Sequence, residues 1–166
     1  MGRSKGKRTS LGTAFSSACE SVWDGESEFC ILPLENASGK LLSFYSMVDR
    51  YELKIRMIYE VGNEDSQSVK YALLSRSCKW IPEKAKKQNY TFEFFILSES
   101  TDFLKDILEA SAACSATLNG IDFTPVEYDS GLRRYLLSFD ISGYNMLPFH
   151  AYLSLNHKTY VPLGFF

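Results

Sequence analysis

A chain of 166 residues in which 45% of side chains are apolar, 23% charged and 14% aromatic can build a core in one ordinary domain or in two small ones. It contains no stretch of about eighteen uncharged apolar residues, which excludes a helical membrane span, and its start lacks the apolar segment of a secretory signal. The net charge of −2 conceals a basic start and a body carrying −6, and an acidic body argues against a nucleic-acid-binding surface.

The four charges of that start are Arg3, Lys5, Lys7 and Arg8. Residues 1–12 are expected to be a disordered basic tail, with an organelle-targeting peptide as the other reading. Gly6 occupies the position where a myristoylation signal needs Ser or Thr. A cytoplasmic location is expected, or an organelle interior if the tail is a targeting peptide.

Phe15, Ala18, Cys19, Val22 and Trp23 share one helical face, and Asp24-Gly25 stops the helix. Phe29 to Leu32 reads as a buried strand closed by Pro33, and Ser38-Gly39 as the start of a second helix with Leu41, Phe44, Tyr45 and Val48 on one face. The alternation Leu53, Ile55, Met57, Tyr59, Val61 predicts a half-buried strand, although Ile58 breaks its polar side. Gly62 to Ser68 is a loop and Tyr71 to Leu74 a short strand.

Residues 79–89, with four lysines and Pro82, read as a linker between a first region over 13–78 and a second over 90–166. In the second, Thr91 to Leu97 is a strand, and Phe103, Leu104, Ile107, Leu108 and Ser111 mark a helix. Ile121 to Tyr128 is the next strand, Asp129-Ser130-Gly131 a turn and Tyr135 to Ile141 a third strand. Gly143 breaks that strand, Leu147 to Leu155 is a helix, and Thr159 to Leu163 closes as a strand. The order βαββαβ defines a ferredoxin-like α+β arrangement, with two helices over one face of an antiparallel sheet.

Cys19, Cys30, Cys78 and Cys114 are scattered without a CxxC pair, and His150 and His157 are the two histidines. No zinc site or other cofactor is expected. The cysteines suit small buried hydrophobes in a reducing compartment better than a disulfide framework.

The run from Ser21 to Gly39 (SVWDGESEFCILPLENASG) resembles the prephenate dehydratase family, in which a helix leads through "V-x-x-G-x-A-D/E" into a strand and the motif "P-I/V-E-N-S". Val48 to Ile55 (VDRYELKI) is similar to that family's "L-L-x-x-Y-D-L-K-I". The second half resembles the ACT regulatory domain that follows its catalytic part: Gly120 to Glu127 (GIDFTPVE) stands for "G-I-N-L-T-K-I-E", Tyr135 to Gly143 for "Y-x-F-F-V-D-I-E-G", and Thr159 to Phe165 for the closing strand.

The resemblance implies a fragment of a periplasmic-binding-protein-like lobe followed by a βαββαβ ACT domain. It also implies the family's activity, the conversion of prephenate to phenylpyruvate in phenylalanine biosynthesis, with prephenate or its amino analogue arogenate as substrate. Glu35 and Asn36 match the cleft "E-N", and Ser38 and the nearby amides can add an anion site. Equally, Asn36 turns the link and Ser38 caps a helix.

The family's catalytic "T-R-F-L-L-L-S-R" corresponds to Val69 to Arg76, so Val69 replaces the threonine acid and Lys70 keeps the arginine's charge without its fork. Ser68 is one residue off and faces the other way in a strand. The family's middle lobe is missing, because Val61 is followed at once by the seven residues Gly62 to Ser68. Catalysis is therefore expected to be impaired, with a non-catalytic amino-acid sensor or pseudoenzyme subunit as the alternative.

In the ACT half the resemblance points to phenylalanine bound at a homodimer interface, or to pairing with a related subunit. The matching positions are Asp102, Phe103 and Leu104 in place of a "G-A-L" turn, with Asp122 and Glu127. Asp102 and Asp122 bring negative charge where the family has Gly and Asn.

Overall fold

The computed structural model describes residues 11–36, 39–62, 68–77, 83–126 and 129–166. The chain divides into two compact units that meet between Ser77 and Cys78. Both are mixed α/β.

In the first unit, α1 (Leu11–Trp23) leads through a left-handed Gly25 into β1 (Cys30–Asn36). The short β2 (Gly39–Lys40) precedes α2 (Leu42–Arg50), β3 (Lys54–Val61) and β4 (Val69–Ser75). The sheet order is β2-β1-β4-β3, antiparallel throughout. Cys19 and Val22 of α1, and Phe44, Tyr45 and Val48 of α2, are buried along the stripes that their spacing predicts, together with Leu32, Ala72 and Leu74 of the sheet.

Several local expectations change. Helix α1 starts at Leu11, inside the stretch assigned to the tail, and residues 1–10 lie outside the described residues. Pro33 does not close β1. It pairs with Tyr71, and an extra residue before Glu35 absorbs the irregularity. Nor is the strand buried on both faces, since Ile31 is 53% exposed while Leu32 and Leu34 point inward. Helix α2 begins at Leu42 after Leu41, which has no capping side-chain bond, rather than at Ser38-Gly39; Ser38 lies outside the described residues.

The alternation of β3 also fails halfway, because Arg56 is an extra residue in the register between Ile55↔Leu74 and Met57↔Leu73. One inserted residue inverts the facing of everything after it. Met57 and Val61 consequently face out, and Ile58 lies opposite the buried Ala72. The apolar Ile58 that broke the polar side of the pattern is thus the mark of the bulge.

The second unit runs β5 (Asn89–Ser98), α3 (Phe103–Ala113), β6 (Thr117–Val126), β7 (Asp129–Ser142), α4 (Gly143–Asn156) and β8 (Val161–Phe165). This is the order βαββαβ, with sheet order β8-β5-β7-β6. Its core packs Phe92, Phe94 and Ile96 of β5 with Leu137, Phe139 and Ile141 of β7 under Ile107 of α3 and Met146, Phe149 and Leu153 of α4. Phe149 meets Phe92, Phe94 and Phe139 edge-on at centroid separations of 5.2–6.3 Å, a geometry that the aromatic quadrupole favours.

In this unit the order is as predicted and the limits shift. Asp129 to Gly131 lie in β7 rather than in a turn, since Asp129 pairs directly with Val126. Helix α4 starts at Gly143, ahead of Pro148, and Leu108 is 42% exposed despite its helical register with Ile107. Glu83–Ala85 form a 3-10 turn within the stretch read as linker.

Gly143 is required where it stands. A Cβ there would approach Lys86 Cα and O to 2.7 and 2.8 Å, while its own N–H donates to the Gln88 carbonyl at 2.9 Å.

Candidate functional site

In the first unit the register of β1 and β4 decides what the candidate residues can do. Lys70 stands opposite Glu35 on β1 and Glu60 on β3 in the strand register. Its Nζ lies 3.1 Å from Glu35 Oε2. Both side chains retain solvent contact, at 42% and 26% exposure, which limits this ion pair to about 0–1 kcal/mol of stability. Chemically, the Lys70 ammonium is paired with a carboxylate of its own sheet.

Val69 pairs with Val61 and supplies no proton. Strand β4 carries no extra residue, because both register shifts fall in its neighbours, so Ser68 stays ahead of the strand and exposed. Asn36 pairs in register with Gly39. The structure therefore brings Lys70 and Glu35 together and places Asn36 next in line along β1. Strands β3 and β4 form an antiparallel hairpin whose connection, Gly62 to Ser68, is seven residues long, too short to hold a lobe.

Cys19 of α1 and Cys30 at the start of β1 are buried thiols. The hydrogen bond between their side chains, and then burial, push the Cys19 thiol above its usual range, while the same bond holds Cys30 lower. Cys114 is raised by burial, and Cys78 lies outside the described residues. Among the described residues no three His, Cys, Asp or Glu side chains converge as metal ligands, and no helix is long and apolar enough to cross a membrane.

In the second unit Asp102 directly precedes α3 without a side-chain capping bond and accepts a hydrogen bond from the Ser100 hydroxyl at 3.0 Å. Phe103 packs edge-on against Tyr135 at 5.0 Å and is part of the core wall, and Leu104 donates its N–H to the Thr101 carbonyl. Asp122 stands opposite Leu136, on the sheet face away from Tyr135 and α3. The α3 residues and Asp122 therefore lie on different faces, and Glu127 is outside the described residues.

No sequence motif singles out Arg56 and Arg76, which line a cleft of this unit. The signal for Arg56 was Ile58, whose misplaced apolarity marks the bulge that redirects the arginine.

These two units define a class: a helix-covered antiparallel lobe joined to a βαββαβ unit. No protein-family model matches the chain, and no curated protein matches it by sequence. Solved structures do. A prephenate dehydratase from Streptococcus mutans aligns with a TM-score of 0.68 at 14% identity, over 90% of this chain and 80% of that one. A prephenate dehydratase from Arthrobacter aurescens in complex with L-Phe gives 0.64 at 13% identity, over 90% and 78%. A structure described as GqqA, a novel type of quorum quenching acylase, gives 0.67 at 16% identity, over 91% and 78%. The fold of this chain is prephenate dehydratase-like.

Proposed function

We propose that this is a protein of L-phenylalanine biosynthesis built on the prephenate dehydratase plan, with a first unit that is catalytically impaired and a second unit that acts as an ACT-type amino-acid sensor. The observation that carries the reading is the 3.1 Å contact between Lys70 and Glu35, beside Val69. Dehydration of prephenate needs an acid for the departing hydroxyl, cationic donors for two carboxylates and a cleft closed to water. Here the acid position is an alkyl group and the cation is spent on an internal carboxylate. The short β3–β4 connection leaves no second wall from this part of the chain.

The purified chain at high concentration, given prephenate or arogenate, is expected to form no phenylpyruvate or phenylalanine above the uncatalysed rate. Turnover that Lys70→Ala abolishes would overturn the impairment.

The sensor reading is supported by the βαββαβ unit and by the L-Phe bound in the Arthrobacter aurescens structure. Exposed Phe123, Leu147 and Leu155 give this unit apolar surface for pairing with a second copy or a related subunit. Phenylalanine is expected to raise the melting temperature, as any ligand selective for the native state does, whereas a melting curve unmoved by phenylalanine, tyrosine and tryptophan would remove the sensor.

A further inference from the structure

We propose that a cleft at the far end of β4 is an oxyanion-binding site, taking the phosphate or carboxylate head of a small metabolite. The cleft encloses about 320 Å³ within the first unit, where Ser27 and Phe29 of the α1–β1 loop face Arg56 and the segment Ser75-Arg76-Ser77. Lys70 lies five residues back along the strand, about 17 Å at the rise of an extended chain, so this site is separate from the pair considered above.

Each guanidinium group lies beside an aromatic ring of the first unit. Arg56 is the extra residue of the β3 bulge, a device that re-aims a side chain. Its Nη1 donates to the Ser77 carbonyl at 3.2 Å, and its head lies 5.9 Å from the Phe29 ring centre. Arg76 follows β4 and lies 5.6 Å from the ring centre of Trp23. The attraction of a guanidinium to an aromatic ring leaves N–H donors for an oxyanion, which is why arginine beside an aromatic ring suits oxyanion recognition.

The polar groups around them are arranged as net donors. The Ser77 carbonyl accepts from both Arg56 and the Ser75 hydroxyl, at 3.2 and 2.8 Å, so its lone pairs are turned away from a ligand. Ser27 shares a hydrogen bond with Ser21 at 3.0 Å and retains further capacity. Among the described residues neither arginine has a carboxylate within ion-pair distance, although Glu28 lines the same cleft. The lining of the cleft therefore carries two guanidinium charges against the one carboxylate of Glu28, an excess that favours an anion.

Arginine side-chain resonances of the full chain, followed by ¹⁵N NMR at constant ionic strength, test this with sodium phosphate and sodium acetate as probes and chloride as control. Saturable shifts of the Arg56 and Arg76 Nε–H signals are expected, with Arg56→Gln and Arg76→Gln each weakening binding about tenfold or more. Saturation by phosphate alone assigns phosphorylated ligands, by acetate alone carboxylates, and by both the oxyanion head itself. Shifts that grow linearly and match those of chloride, or binding that survives both substitutions in variants whose amide spectra remain folded, would overturn the proposal.

Discussion

At position 70 a single lysine has two possible fates, and cross-strand geometry chooses between them. A free ammonium in a cleft binds a substrate carboxylate, whereas Lys70 is paired with Glu35 of its own sheet. Glu35→Gln removes the ion-pair partner. Because the pair is partly solvated, urea unfolding of this variant should show a loss of less than about 1 kcal/mol. A loss of several kcal/mol would mean that the pair is a buried structural bridge. This pairing was not legible in the sequence: Glu35 and Lys70 are 35 positions apart, and their register depends on an extra residue in β1 that no local pattern announces. The apolar side chain of Val69, by contrast, was visible directly.

Among the elements, those with strong periodicity follow their sequence and those whose ends depend on neighbours do not. The stripe Cys19, Val22 on α1 and Phe44, Tyr45, Val48 on α2 needs only a sheet to cover, and both helices bury it. The parity of β3 beyond Arg56, the passage of β1 through Pro33 and the early start of α4 were each set by a partner strand or a close backbone approach. Gly143 shows the last of these. Gly143→Ala must displace the Lys86 backbone from a contact below 3 Å and is expected to cost about 1–3 kcal/mol in denaturant unfolding. Gly120→Ala, with nothing within 4 Å of its Cβ, should be neutral or slightly stabilising, and equal effects at the two sites would remove the packing explanation.

For the molecule as a whole, acid sensitivity is expected to concentrate in the second unit, which holds both histidines. Burial lowers the pKa of His150, whose Nδ1 lies 2.7 Å from the Tyr160 hydroxyl. Burial also lowers that of His157, against a smaller opposing pull from Asp106, and its Nε2 is buried without a hydrogen-bond partner. A histidine whose pKa is depressed in the folded state binds fewer protons there than in the unfolded chain. Stability is therefore fully present above the ordinary histidine value of 6.5 and declines as the pH falls below it. Amide exchange of β5 and α4 between pH 8 and about 5 should show protection falling only in the lower part of that range, and the double variant His150→Gln, His157→Gln should flatten the decline. Protection that instead rises on acidification would reverse the assigned direction.

Hydrophobic periodicity alone determined the mixed α/β class, the helix faces and the βαββαβ order of the second half, because burying an apolar stripe is a local property of spacing. Motif resemblance added the prephenate dehydratase-like fold. Tertiary structure decided what spacing cannot encode: that Lys70 meets Glu35 and that Arg56 reaches the Ser77 carbonyl. Both follow from single extra residues in β1 and β3, where one inserted position shifts the register of a strand and changes the partner of every side chain beyond it.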